Sequence, residues 1–201
     1  MTQDLIDNYE YRCNLVSDIN EHLPTLKKYA EDCDHVTEMG VRWLVSTIAF
    51  MMGKPKKLIS YDIDPLENWG INTNEVVELG KKNKIDFNFI LGNTLELEIE
   101  ETDLLFLDTW HSYKQLKAEL ALHASKVKKY IIFHDTTEYA DKDETSYEEW
   151  GDEWKGEGIG IWKAIEEFLE SNPKWELIER FTNCNGLTII CLLYTSDAAD
   201  E

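Results

Sequence analysis

The chain has 201 residues, 43% of them hydrophobic and 11% aromatic, which describes one folded globule with a sizeable core. Acidic side chains number 40 against 20 basic ones, and the resulting net charge of -20 opposes any phosphate backbone and argues against a nucleic-acid partner. Cys13, Cys33, Cys184 and Cys191 form no C-x-x-C pair, the amino terminus lacks a basic-then-apolar leader, and no apolar run approaches the ~20 residues that span a bilayer; the expectation is a cytoplasmic protein with no zinc knuckle, disulfide framework or membrane helix.

Leu5, Ile6, Tyr9, Cys13 and Val16 recur at helical spacing, Ser17 breaks the pattern, and Pro24 starts a second helix. These two helices predict a unit over residues 1–34 that packs against one edge of a sheet, with His22 as a solvated loop residue. The stretch 35–47, HVTEMGVRWLVST, organises the rest of the chain. Val36 and Met39 flank Glu38 at the C-terminal end of a buried strand, and Gly40 permits a tight turn into a helix over 44–52. In an α/β sheet that crevice takes the ligand. A dinucleotide loop needs G-x-G-x-x-G so that bare backbone reaches a pyrophosphate, whereas here Gly40 is followed by Val41, Arg42, Trp43 and Leu44. S-adenosylmethionine has no phosphate and carries an ammonium and a sulfonium, which suit an acid such as Glu38 beside a single glycine turn. The plain alternative is a strand-to-helix turn with a capping acid.

Residues 58–62 form a second strand ending in Asp62, about twenty residues past the glycine turn, where a ribose-hydroxyl acceptor belongs; Asp64 is the alternative acceptor. A helix over 74–82 leads to a third strand, 87–91, closed by Gly92, Asn93 and Thr94, the last two placed to grip an adenine. The fourth strand, 103–108, reads DLLFLD, and its terminal Asp108 emerges at the same edge as Glu38 and Asp62. Three acids at three strand ends suit a cationic cofactor, a metal, or both. After Thr109, Trp110, His111 and Ser112 comes a helix with Leu116, Leu120 and His123 on one face, then a fifth strand, 130–133, ending in His134, Asp135, Thr136 and Thr137.

Segment 138–158 is dense in acids but interleaved with Tyr139, Tyr147, Trp150 and Trp154, and four large rings favour a lid or substrate wall over disorder. Gly158 and Gly160 open a helix stopped by Asn172 and Pro173. Strands 175–181 and 187–192 pair as an antiparallel hairpin, and strand patterning then stops so abruptly that 193–201 reads as a non-native tail. The organisation expected is N-terminal helices over 1–34, a domain over 35–192 with the insertion 138–158, and that tail.

Five strands alternating with helices and finishing in a hairpin resemble a class I S-adenosylmethionine-dependent methyltransferase over most of the chain. The fold implied is a Rossmann-like three-layer α/β sandwich with a mostly parallel seven-stranded sheet. FLDTWHSY followed by IIFHDTT is similar to the branch containing the cephalosporin hydroxylase and rhamnosyl O-methyltransferase family and its macrolide-sugar relatives. The resemblance implies that Glu38 and Gly40 contact the methionine end of the cofactor, Asp62 the ribose, and Asn93 and Thr94 the adenine side. It also implies that Asp108, which borders the cofactor too, joins Asp135 in holding a divalent metal, magnesium or manganese. A hydroxyl is a poor nucleophile at neutral pH, and a cation lowers its pKa and fixes it in line with the methyl group. His134 stands where those relatives tend to place another acid or an amide and is a candidate third ligand. His111, at the mouth, is the candidate general base. The function expected is O-methylation of a sugar or other small hydroxylated metabolite. The alternatives are an NAD-dependent oxidoreductase, which bulky Trp43 and Leu44 disfavour, a non-catalytic protein that keeps the cofactor pocket, and a metal-free enzyme relying on His111 alone.

Overall fold

A computed structural model describes residues 1–193, so the expected non-native tail lies, Leu193 apart, outside the described residues. Seven strands form one sheet in the order β3-β2-β1-β4-β5-β7-β6. β1 (His35–Met39), β2 (Lys57–Asp62), β3 (Asp86–Leu91), β4 (Thr102–Leu107) and β5 (Val127–His134) are parallel, while β7 (Leu187–Leu192) runs antiparallel to both β5 and β6 (Trp175–Phe181). This is the expected Rossmann-like sandwich.

Buried on both faces, the central strands are continuous apolar runs whose side chains alternate between two cores. Leu58, Leu104, Phe106 and Ile132 face one layer, made by α1 (Gln3–Asn14), α2 (Leu23–Ala30), α3 (Val45–Gly53) and α4 (Thr73–Lys82). Leu105, Leu107, Ile131 and Phe133 face the other, made by α5 (Tyr113–His123) and α6 (Ile161–Ser171). Helix α3 is buried from Ser46 to Gly53 because it has the sheet on one side and α1 and α2 on the other. A Cβ on Gly53 would lie 2.4 Å from that of Ala30 in α2, so glycine sets how closely these helices approach. The two N-terminal helices therefore cover a face of the sheet, where the sequence predicts an edge; α3 is apolar all round and needs an outer layer.

From β1 the chain steps outward to β2 and β3, then returns to lay β4 on the other side of β1. That reversal opens a crevice at the C-terminal ends of β1 and β4. No helix separates β3 from β4; residues 92–101 make the crossing and bury Ile99 in the α5 layer. Segment 138–158 is folded. Trp110, Tyr147, Trp150 and Trp154 pack with ring centroids 4.9 to 5.6 Å apart, and Asp143 accepts hydrogen bonds from the backbone N–H of Tyr113, Glu157, Gly158 and Gly160. Among the described residues no helix is long and apolar enough to cross a membrane.

Candidate active site

The turn after β1 fixes the crevice. Gly40 has φ +84°, and a Cβ there would lie 1.9 Å from the backbone oxygen of Asp108, so only glycine lets the two strand ends meet. Arg42 and Leu44 also take left-handed conformations, at φ 41° and 60°, unusual for side chains of their size. Asp62 holds this loop: its Oδ2 accepts from the backbone N–H of Val41 at 2.8 Å and of Arg42 at 3.1 Å, and its Oδ1 from that of Asp64 at 2.9 Å.

On the other side of the crevice four side chains converge. Asp108 Oδ1 lies 3.2 Å from both His111 Nε2 and His134 Nδ1, and Asp135 Oδ2 lies 2.8 Å and 3.2 Å from the same two nitrogens. Asp135 is itself left-handed at φ 59°, just past β5, and its Oδ1 is buried with no hydrogen-bond partner. Among the described residues, ligand atoms of Asp108, His111 and Asp135 come within 4.8 Å of one another, so the candidate metal set contains His111 where the sequence reading places His134. His134 Nε2 donates to the carbonyls of Asp18 and Cys184, and its Nδ1 faces the two carboxylates.

The electrostatics follow from this packing. Burial works to raise the Asp108 carboxyl, but His134 and His111 outweigh it and hold the group at about 2; Asp135 is brought well below its usual range in the same way. Burial works to lower His111, yet its bonds to Asp108, Asp135 and Glu144 raise it well above an ordinary histidine, and Asp108 and Asp135 raise His134 to about 10.

Glu144 is the residue that sequence reasoning missed. Its Oε2 accepts from His111 Nδ1 at 2.8 Å, and its Oε1 accepts from the Ser146 hydroxyl. His111 also stacks on Tyr139, with rings 2° from parallel and centroids 4.9 Å apart. Alternation of acids with aromatics in 138–158 signalled a packed segment but not which acid turns inward.

The structure revises three expected placements. Glu38 is fully buried and takes hydroxyl donors from Ser46 at 2.5 Å, Thr47 at 2.7 Å and Ser60 at 2.6 Å; burial, partly offset by these bonds, raises it to about 7. Thr94 is buried with its hydroxyl between Glu119 and Gln115 rather than at the rim. His22 is buried too, donating to the Asn183 carbonyl at 2.9 Å and packing edge-on against His134. Asn93 remains at the rim, its side chain bonded to Leu95 N and Glu96. Trp43 is 53% exposed and lies edge-on against Trp69. A groove of about 610 Å³ between α1, α3 and α4, lined by Arg12, Ile48, Ile71 and Leu79 among others, lies away from the cluster.

No protein-family model matches the sequence, and no curated protein is detectably similar to it in sequence. Solved structures are similar in fold. A Staphylococcus aureus protein assigned as a caffeoyl-CoA O-methyltransferase superposes with a TM-score of 0.63 at 12% identity, over 95% of this chain and 93% of its own. An O-methyltransferase from Bacillus cereus in complex with SAH gives 0.62 at 13% identity, over 96% and 91%. An O-methyltransferase from Streptomyces achromogenes in complex with SAM gives 0.59 at 10% identity, again over 96% and 91%. The sheet order, the antiparallel final pair and the crevice at the β1–β4 reversal thus belong to a fold that this chain shares with S-adenosylmethionine-dependent methyltransferases.

Proposed function

We propose that the chain is an S-adenosylmethionine-dependent O-methyltransferase acting on a hydroxyl of a sugar or other small metabolite, with a divalent cation held at Asp108 and Asp135. One observation carries this reading: carboxylates from two adjacent parallel strands and the Nε2 of His111 converge at the ligand-binding edge of a methyltransferase fold. The residues fit a cation. The buried oxygen of Asp135 lacks any partner, and the carboxylate oxygens of Asp108 and Asp135 suit manganese or magnesium. Such a cation lowers the pKa of an acceptor hydroxyl.

The chain's own residues supply the rest. Asp108 and Asp135 fix the acceptor oxygen beside the cofactor, converting an encounter into an oriented approach. A cation on Asp108 and Asp135 would offset the charge that raises His111, leaving its Nε2 to take the hydroxyl proton. His134, anchored to two backbone carbonyls, steadies both carboxylates through Nδ1. On the cofactor side Gly40 brings the β1 turn against Asp108, and Asp62, with three donors on its two oxygens, keeps a lone pair for a ribose hydroxyl. Ile63 and Leu91, 52% and 56% exposed at the β2 and β3 ends, offer apolar surface to a base, with Asn93 beside them. Glu38 braces the turn through Ser46, Thr47 and Ser60. Neighbours solved with SAH or SAM support the donor.

The test is incubation with labelled S-adenosylmethionine and a panel of sugars and phenols, with and without magnesium or manganese. Label in an O-methyl product that a chelator abolishes is the expected result. Transfer to nitrogen acceptors only, or binding of NAD but not S-adenosylhomocysteine, overturns the proposal.

A further inference from the structure

We propose that Arg42 binds a carboxylate on the acceptor, which makes the substrate a hydroxylated carboxylic acid. This deepens the reading of the crevice as a methyl-transfer site and rests on it. The hydroxyl end of such a molecule belongs at Asp108 and Asp135, and its acid end at a guanidinium held between the cofactor turn and the aromatic wall of segment 138–158.

Arg42 stands where these two parts meet. Its backbone is left-handed at φ 41° and its N–H is held by Asp62 at 3.1 Å, so the side chain leaves the β1 turn in a fixed direction. It runs to the inserted segment, where one terminal nitrogen donates to the Tyr147 hydroxyl at 2.8 Å. Glycine suits a left-handed turn best, and a long cation kept there against the strain points to a use for the cation.

The charge is not spent within the protein. Acids outnumber bases by 40 to 20, and surface lysines such as Lys57, Lys117 and Lys126 each pair with a glutamate. Arg42 has no ion pair among the described residues, although Glu144, Glu148 and Glu149 flank Tyr147 in sequence; the segment meets it with a neutral hydroxyl instead. Its other N–H groups keep the planar fork that fits a carboxylate. Partial desolvation works to lower the guanidinium's pKa, but Tyr147, Asp108 and Glu144 raise it, so the cation is permanent and lies within reach of the acid cluster's charge.

The surroundings choose between anions. A phosphate monoester would bring a second negative charge toward Asp108, Asp135 and Glu144. No lysine of this wall is left to meet it, because Lys114 is engaged by the Glu153 carbonyl, Lys142 by Glu138 and Lys155 by Asp152. One guanidinium matches one carboxylate. The cofactor's own carboxylate is the other source of this chemistry, but the guanidinium is turned from Gly40 toward Tyr147, which favours the acceptor. Tyr147 packs against Trp150 and Trp154, and these rings offer a face to the acceptor's carbon skeleton.

The test is calorimetric titration of the full chain, saturated with magnesium and S-adenosylhomocysteine, with acids and their uncharged amides: glucuronate and glucuronamide, salicylate and salicylamide, lactate and lactamide. Wild type is expected to bind at least one acid about 10- to 100-fold more tightly than its amide. Arg42→Gln is expected to abolish that preference while its affinity for S-adenosylhomocysteine stays within about twofold of wild type. Arg42→Gly removes the guanidinium but suits the left-handed turn, so it loses the preference equally even if Arg42→Gln fails to fold. The inference is overturned if wild type shows no preference in any pair, if it binds glucose phosphate more tightly than glucuronate, or if the preference survives in Arg42→Gly. It is overturned too if the variants lose S-adenosylhomocysteine in step with the acid, because the guanidinium then serves the methionine carboxylate. Binding needs no turnover, so an Arg42-dependent acid that accepts no methyl group retains this site and loses the proposed function. Methyl transfer to neutral hydroxyls at a rate unchanged in Arg42→Gly does the reverse.

Discussion

The two halves of the sheet's C-terminal edge use the same residue type in opposite ways. On the β1–β3 side, Glu38 is enclosed by three hydroxyls from α3 and β2 and Asp62 by three backbone N–H groups, so each acid finds enough donors. On the β4–β5 side, Asp108 and Asp135 share two imidazoles, and one oxygen of Asp135 has no partner at all. A carboxylate at a strand end therefore builds either the loop or the site, and the local supply of donors decides which. Satisfied acids rigidify the crevice; in the proposed reading the under-supplied pair meets the ligand.

Substitutions on each half should separate these roles. The largest effect is expected at Asp135: replacement by alanine removes the orphaned oxygen and half of the carboxylate pair, and should lower methyl transfer by about a thousandfold while S-adenosylhomocysteine still binds. Steady-state kinetics beside calorimetric titration checks this, and a variant of near wild-type rate would show that the pair is merely structural. Gly40→Ala strikes the junction of the two halves. A Cβ set against the Asp108 backbone in a left-handed turn should cost about 3 kcal/mol or more, read from chemical denaturation.

Glu38 gives the loop-building half a pH signature. With its folded pKa near 7, above the usual carboxylate value of 4.5, the unfolded chain ionises first as pH rises. The stability that protonated Glu38 provides is therefore fully present below about 4.5 and is lost by about pH 7, a change of about 3 kcal/mol. Comparing unfolding free energies of wild type and Glu38→Gln across that window isolates it; parallel pH curves would mean that the buried acid is charged throughout. The smallest effect is expected at Asp62→Asn, where the amide can no longer accept from every backbone N–H it holds, at about 1 to 2 kcal/mol of stability by thermal unfolding.

How much of this was legible in the sequence follows the same division. The strands were readable because core strands covered on both faces are apolar runs with abrupt ends, as in DLLFLD, and the final hairpin announced itself by its turn. Asp108, His111, His134 and Asp135 were legible because each sits at or just beyond a strand end, where topology alone brings residues together. Glu38 was readable as a strand-end acid but not as a satisfied one, since its donors Ser46, Thr47 and Ser60 come from α3 and β2. His22 reaches Asn183 across 161 residues, a contact that no local pattern encodes. Glu144 was hidden among acids of similar spacing, and only the path of the segment over Trp110 turns it inward.

The most direct measurement is titration of manganese into the full chain saturated with S-adenosylhomocysteine, followed by electron paramagnetic resonance. Wild type and Glu38→Gln should each take up about one ion per chain, and Asp135→Ala should take up none. An ion that binds the Asp135 variant as tightly as wild type, or no binding by wild type, would contradict the assignment of the β4–β5 carboxylates as the reaction centre.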